Sequence, residues 1–352
     1  MAAMKGHDAW VALAVSLLAL LLTVFLTTGA LVLGGYSPLL TFQSLLAGSF
    51  GSLDSFFGVT LVRAVPLIVI GLAVTVAFKS GVWNIGAEGQ FYAGAIAGVW
   101  VGLNVGDYPS YFSVPLVFLS ASVAGALWAL LPALMRTRLG VGEVVTTILM
   151  NFVAIHLVSY IVRWPLQEER GVFPNTDLID ESVRLPTIVP GTGLHLGFVV
   201  AVILVIGLSF FFSNTSMGFQ LRAMGGSQEA TRVSGRSSIP QLLIVTFLLS
   251  GSLAGLAGGI EIAGRSFALY EGLSPGWGYT AIAVALLADL NFIAVLFTGI
   301  FFGALEGGAG AMQREAGIPA TWVAGIEALV LLSVLASDRL FRRLLRPRRK
   351  ED

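Results

Sequence analysis

The chain has 352 residues, of which 56% are hydrophobic and only 11% charged, with a formal net charge of zero. Soluble domains carry about 25% charged residues, so the polar outer faces that a large water-soluble helical protein needs are missing. The charge balance gives no basic surface for nucleic acid, and the absence of cysteine excludes disulfides and thiolate metal sites.

No charged residue lies between Asp8 and Asp54, or between Arg236 and Glu261. Uncharged runs of about 20 residues are long enough for a helix to cross the ~30 Å hydrocarbon layer. Lipid satisfies no backbone donor or acceptor, so several such runs in one chain describe an all-α polytopic membrane protein. Hydropathy places about ten spans, at 10–33, 60–78, 84–104, 114–134, 143–162, 196–212, 240–262, 277–290, 292–311 and 320–337. The first exceeds the ~7–15-residue core of a signal peptide and has only Lys5 before it, so it is expected to stay as a membrane helix. The span at 277–290 is short and flanked by glycine, as a half-helix would be. Both termini are expected inside, because that orientation puts most Lys and Arg on the inner side, including the basic tail at 338–352. The whole of 1–352 then reads as one transmembrane domain with two long connections. Residues 163–195 form an extracytoplasmic loop with Pro165, Pro174, Pro186 and Pro190, either an ordered cap that docks a partner or a solvated loop. Residues 213–239 form the main cytoplasmic loop.

Glycines recur at helical spacing inside the spans. "GSLAGLAGG" sets Gly251, Gly255 and Gly259 on one face, and "GIFFGALEGG" does the same with Gly299, Gly303 and Gly307. Such faces are packing seams, where small residues let helix backbones approach in a medium that gives them no hydrophobic drive. No catalytic set emerges. His7, His156 and His195 lack metalloprotease spacing, and the phosphate-cradling G-x-x-x-x-G-K-[ST] pattern is absent, so the chain has no P-loop route to ATP.

Polar groups at membrane depth are therefore the candidates for function. In "KSGVWNIGAEGQ", Asn84 and Glu88 are four apart and would share a helix face, with Gln90 close by and glycines loosening the helix. They either line a solute pathway or tie helices together. "GEVVTTILMNFVA" aligns Glu143, Thr147, Met150, Asn151 and Ala154 along one stripe. Glu143 suits the positive end of that helix, and Thr147 and Asn151 are pathway candidates. In the inner loop, "SQEATRV" is expected to form a short helix with Ser227 as N-cap and Gly235 as its stop. Its mixed surface either docks a protein or is a solvated turn.

"GVWNIGAEGQFYAGA", "GEVVTTILMNFVA" and "LRAMGGSQEATRVSG" followed by "LLSGSLAGLAGGIE" resemble, in that order, segments of ATP-binding-cassette importer permeases for nucleosides and simple sugars. These belong with the ribose and branched-chain amino-acid permeases. Glu229, Ala230 and Gly235 resemble the E-A-A-x-x-x-G pattern by which such permeases dock their ATPase, with Thr231 where the pattern has a second Ala. The resemblance implies a type II importer-like fold of about ten helices. It also implies an ABC ATPase subunit that uses ATP and Mg, a second permease (identical or paralogous), and an extracytoplasmic substrate-binding protein. No cofactor is expected on this chain. Carried onto it, Arg222, Gly225, Glu229, Ala230, Arg232 and Gly235 would form the coupling loop. Asn84, Glu88, Gln90 and Asn151 would lie along or near the translocation path of a bacterial plasma-membrane protein, beside Thr147, the candidate that the helix stripe supplies. The rivals are an ion-coupled secondary transporter of small polar solutes, whose broken helices and intramembrane acids would look alike, and a membrane-embedded enzyme, which the scattered histidines argue against.

Overall fold

The computed structural model describes Leu21, residues 24–233 and 238–319, and a few positions between 321 and 332. Most of the spans at 10–33 and 320–337, all of the tail at 338–352, and Gly235 lie outside the described residues. Among the described residues the structure is helical, with no named strand and two isolated bridges, Asn175 with Tyr270 and Thr187 with His195. The chain divides into two compact units, residues 1–56 with 304–352, and residues 57–303.

In the first unit, α1 (Val24–Leu33) is followed by α2 (Pro38–Phe50). Ser37 caps α2 by accepting from the Leu40 N–H, and Pro38 takes the position where a missing N–H costs nothing. Hydropathy did not anticipate α2, because its 13 residues include Thr41, Gln43, Ser44 and Ser49 and fall short of a span. It packs on the latter part of α12 (Phe292–Ala316) through Gly308, where a Cβ would lie 2.5 Å from the Leu45 carbonyl. Ser49 Oγ completes the seam by donating to the Ala304 carbonyl.

The second unit holds α3 (Val62–Lys79), α4 (Ala87–Asn104), α5 (Ser110–Leu139), α6 (Glu143–Ile161) and α7 (Gly197–Asn214). These are followed by α8 (Ser216–Gly226), α9 (Gln228–Val233), α10 (Ile239–Glu261) and α11 (Trp277–Leu287), then the start of α12. Among the described residues six helices are long and apolar enough to cross a membrane: Ser55–Lys79, Ser110–Leu139, Glu143–Ile161, Gly197–Asn214, Ile239–Ser266 and Phe292–Ala316. α10 packs on both α4 and α5: the expected face of Gly251, Gly255 and Gly259 admits α5, and Gly258, outside that face, admits α4. A Cβ on Gly255 would come within 2.8 Å of Gly125 Cα on α5, and one on Gly258 within 2.7 Å of the Ala95 nitrogen on α4. Gly299 and Gly303 likewise admit α3, the latter with Ala64 Cα 2.9 Å from its Cβ position. Glu143 starts α6, where it also pairs with Arg136 at 3.1 Å.

Residues 163–196 form an ordered cap. Thr176, Ile179 and Leu185 donate backbone N–H groups to the carbonyls of Leu269, Phe267 and Ala263. Arg163 grips the Glu271 carboxylate with two hydrogen bonds, of 2.8 and 3.1 Å. Ile179, Val183, Leu185 and Leu194 are buried beneath. His195 sits at the foot of α7, its Nδ1 accepting from the Gly197 N–H.

Candidate translocation site

α3 stops at a glycine turn. Gly81 has φ +75°, a conformation that strains other residues, and the Gly81 and Val82 N–H groups bond back to the Phe78 and Ala77 carbonyls. Residues 82–86 are not helical, and α4 starts at Ala87. The expected shared helix face of Asn84 and Glu88 is therefore absent: Asn84 lies in the irregular segment and Glu88 in the first turn of α4.

An irregular segment inside a membrane bundle has backbone groups that no helix satisfies, so side chains must do it. Asn84 Oδ1 accepts from the Gly86 N–H (3.0 Å) and from Gln90 Nε2 (3.1 Å). Its Nδ2 donates to Gln90 Oε1 (3.1 Å) and Ser250 Oγ (2.9 Å), so the two amides form a reciprocal pair tied to α10. From α6, Thr147 Oγ1 accepts from the Ile85 N–H at 3.2 Å. Asn151 accepts from the Gly89 N–H at 2.8 Å and donates to the Ile85 carbonyl at 2.9 Å and to the Tyr279 hydroxyl at 3.2 Å. All five candidates are buried, none more than 2% exposed. The structure thus brings Asn84, Gln90, Thr147 and Asn151 together around one break, and each is engaged in holding it.

Glu88 has a different partner. Its carboxylate accepts from the Gly278 N–H at 2.6 Å, in the first turn of α11. Ser274 Oγ takes the neighbouring Gly276 and Trp277 N–H groups, and the Tyr92 hydroxyl takes the Ser274 N–H. With 11 residues, α11 is about 16 Å long at ~1.5 Å per residue, half a membrane span, as its flanking glycines led one to expect. Its N-terminal donors would otherwise be orphaned inside the bundle, and a carboxylate also suits the positive end of its dipole. Ser250 and Tyr279 are not among the sequence candidates, although Ser250 is readable as a polar residue within an apolar run.

Of the inner-loop candidates, Gly225 meets the backbone of the α3 stop at Lys79 and Gly81, and the others share no hydrogen bond with the polar cluster. Ser227 caps α9, accepting the Ala230 N–H on its side chain and the Thr231 hydroxyl on its carbonyl. That leaves Glu229, Ala230 and Arg232 on an exposed surface, with Glu229 and Arg232 loosely paired at 3.7 Å. Arg222 and Gly225 are exposed on α8. Among the described residues no group of His, Asp and Glu is arranged to hold a metal ion.

Residues 56–335 match the family described as the permease component of the branched-chain amino acid transport system. The chain is 41% identical over 299 residues to a glucose ABC transporter permease protein of Haloferax volcanii, covering 82% of this chain and 78% of the relative. It is 36% identical over 320 residues to a guanosine ABC transporter permease protein of Bacillus subtilis, covering 89% and 90% of the two chains. A nucleoside ABC transporter permease protein of Lactococcus lactis is 31% identical over 310 residues, covering 85% and 84%. A multi-pass helical bundle that holds a polar break, with this similarity along most of its length, belongs to the permease family of ATP-binding-cassette transporters and is a transport subunit rather than an enzyme.

Proposed function

We propose that the chain imports nucleosides or related sugar-containing solutes across a bacterial plasma membrane, driven by ATP that a separate ATPase subunit hydrolyses with Mg. In this reading the chain binds no cofactor, has about ten membrane helices and keeps both termini in the cytoplasm. It pairs with a second permease, the same or a paralogue, and receives solute from an extracytoplasmic binding protein that docks on the cap at 163–196. The observation that carries the coupling is the α8–α9 elbow, a capped short helix whose Glu229, Ala230 and Arg232 face solvent in a chain with no nucleotide-cradling motif. The names of the relatives support the solute class. ATP binding would close the ATPase subunits and push the elbow, shifting the permease between outward- and inward-facing states.

The test is uptake of labelled guanosine, adenosine and glucose into proteoliposomes holding the whole complex. Uptake is expected to require an intact ATPase, and Glu229→Arg is expected to abolish it while the protein remains inserted. Uptake that persists with a catalytically dead ATPase, or accumulation by this chain alone on an ion gradient, would refute the proposal.

A further inference from the structure

The exposed elbow and the buried break meet backbone to backbone. A Cβ on Gly225, at the end of α8, would overlap the Lys79 carbonyl oxygen and lie 3.1 Å from the Gly81 nitrogen. A Cβ on Gly81 would in turn lie 3.1 Å from Gly225 Cα. Neighbouring Gly226 meets nothing within 4 Å, so glycine is demanded by the contact at 225 and not by the turn at large.

From that contact, the stretch 79–88, from the last residue of α3 to the first turn of α4, reaches both ends of α11. Lys79 Nζ donates to the Leu290 carbonyl at 3.0 Å, just past the helix C-terminus, and lies 5.5 Å from the centre of the Phe292 ring. Glu88 holds the other end through Gly278. The turn that Lys79 grips has two successive residues with positive φ, Asp289 at 48° and Leu290 at 55°, which is strained for a leucine. A half-helix clamped at both ends by one segment, next to a strained turn, has the parts of a lever and its hinge.

We propose that residues 79–88 and α11 move as one lever that carries displacement of the α8–α9 elbow into the polar break, with Lys79, Gly81 and Gly225 as its positioning residues. This rests on the reading of the elbow as the ATPase contact. The ammonium of Lys79 and the two glycines then serve transmission: they touch neither solute nor nucleotide, but they decide whether a push at α9 reaches Gly278.

The assembled wild-type complex is compared by hydrogen exchange with and without a non-hydrolysable ATP analogue. Peptides covering 79–90 and 277–291 are expected to change protection together. A change in one without the other, or in 216–233 alone, would overturn the lever. In guanosine-loaded proteoliposomes, Lys79→Met is expected to keep co-purification and ATP hydrolysis while solute moved per ATP falls about tenfold, and Gly225→Ala to lower solute moved per ATP as well. Lys79→Arg is expected to restore most of it, and Gly226→Ala to match wild type. Wild-type coupling in both Gly225→Ala and Lys79→Met would also overturn the lever. Should either variant fail to assemble, the wild-type exchange pattern decides. A wild-type complex that takes up solute without ATP sinks the ATP-driven reading itself, whereas one that needs ATP but shows unlinked exchange sinks only the lever.

Discussion

Asn151→Ala is the sharpest perturbation of the polar break. The side chain satisfies two backbone groups at the break, the Gly89 N–H in the first turn of α4 and the Ile85 carbonyl in the irregular segment, and one hydroxyl, that of Tyr279. A buried polar group left without a partner costs about 1–3 kcal/mol. Interhelical side-chain bonds in membranes average only ~0.6 kcal/mol, because separated helices find other partners in lipid. That discount covers the Tyr279 contact but not the other two, since Ile85 lies in the irregular segment and the Gly89 N–H, in the first turn of α4, has no intrahelical acceptor. Two orphaned backbone groups therefore place the loss at about 2–6 kcal/mol. Thr147→Val orphans only the Ile85 N–H, through a longer bond, and is expected to cost about 1 kcal/mol. Unfolding in mild detergent titrated with a denaturing one ranks the two, and hydrogen exchange on peptides spanning 82–90 localises the effect. Equal stability of the two variants, or unchanged exchange at 82–90 in Asn151→Ala, would refute the claim that α6 holds the break.

Gly255→Val would drive its side chain into the Ala121 carbonyl and Gly125, and is expected to cost about 3 kcal/mol or more. Gly207→Val, where a Cβ meets nothing within 4 Å, is the matched control, and equal yields of folded protein would refute the seam. His195 is held neutral: burial, and then Arg265, push its pKa down from 6.5 to about 4. The unfolded chain thus binds the proton first as pH falls, so this contribution is complete above about pH 6.5 and lost progressively towards pH 4. The loss amounts to about 3 kcal/mol, read as a falling melting temperature that His195→Asn should flatten; an equally steep fall in the variant would clear His195 of the effect. Glu88→Ala is expected to raise exchange in the first turn of α11 and lower transport, with Glu88→Gln, which keeps an acceptor, nearer wild type. Unchanged exchange at 277–280 would remove the capping role. Asn84→Ala and Gln90→Ala are expected to lower uptake of guanosine and glucose by one common factor, and a changed ratio between the solutes would place these amides on the solute.

Sequence resolved what depends on local transfer energy. α6 and α10 fall within a residue of their hydropathy spans, α11 is the expected half-helix, and Ser227 starts α9. It failed where the local assumption failed. The i,i+4 spacing of Asn84 and Glu88 has meaning only on a helix, and the chain leaves the helix at Gly81. The glycines that were read as loosening a helix in fact end one. α2 was invisible to a window tuned to membrane thickness. The partners that settle what each polar group does lie far along the chain: Ser250 is 166 residues from Asn84, Gly278 is 190 from Glu88, and Tyr279 is 128 from Asn151. One sequence marks polar residues as costly in lipid, but which group meets which is decided by the way α10 and α11 pack.

The internal hydrogen bonding of this cluster bears on where selectivity arises. Both amide atoms of Asn84 and of Gln90 are occupied, and Asn151 uses its oxygen and its nitrogen. A solute hydroxyl that bonded to Asn84 or accepted from Asn151 would displace an internal partner, and leaving that partner bare costs about as much as the new bond returns; Gln90 keeps one N–H and one lone pair, both on a side chain only 1% exposed. In this conformation the cluster therefore offers little net affinity and little basis for telling a nucleoside from a hexose. Its chemistry suits a different task, keeping a non-helical segment intact inside the bundle. Discrimination by hydrogen bonding would then require either another surface or another protein, and an extracytoplasmic partner that selects the solute before delivery meets that requirement without asking the break to open for it.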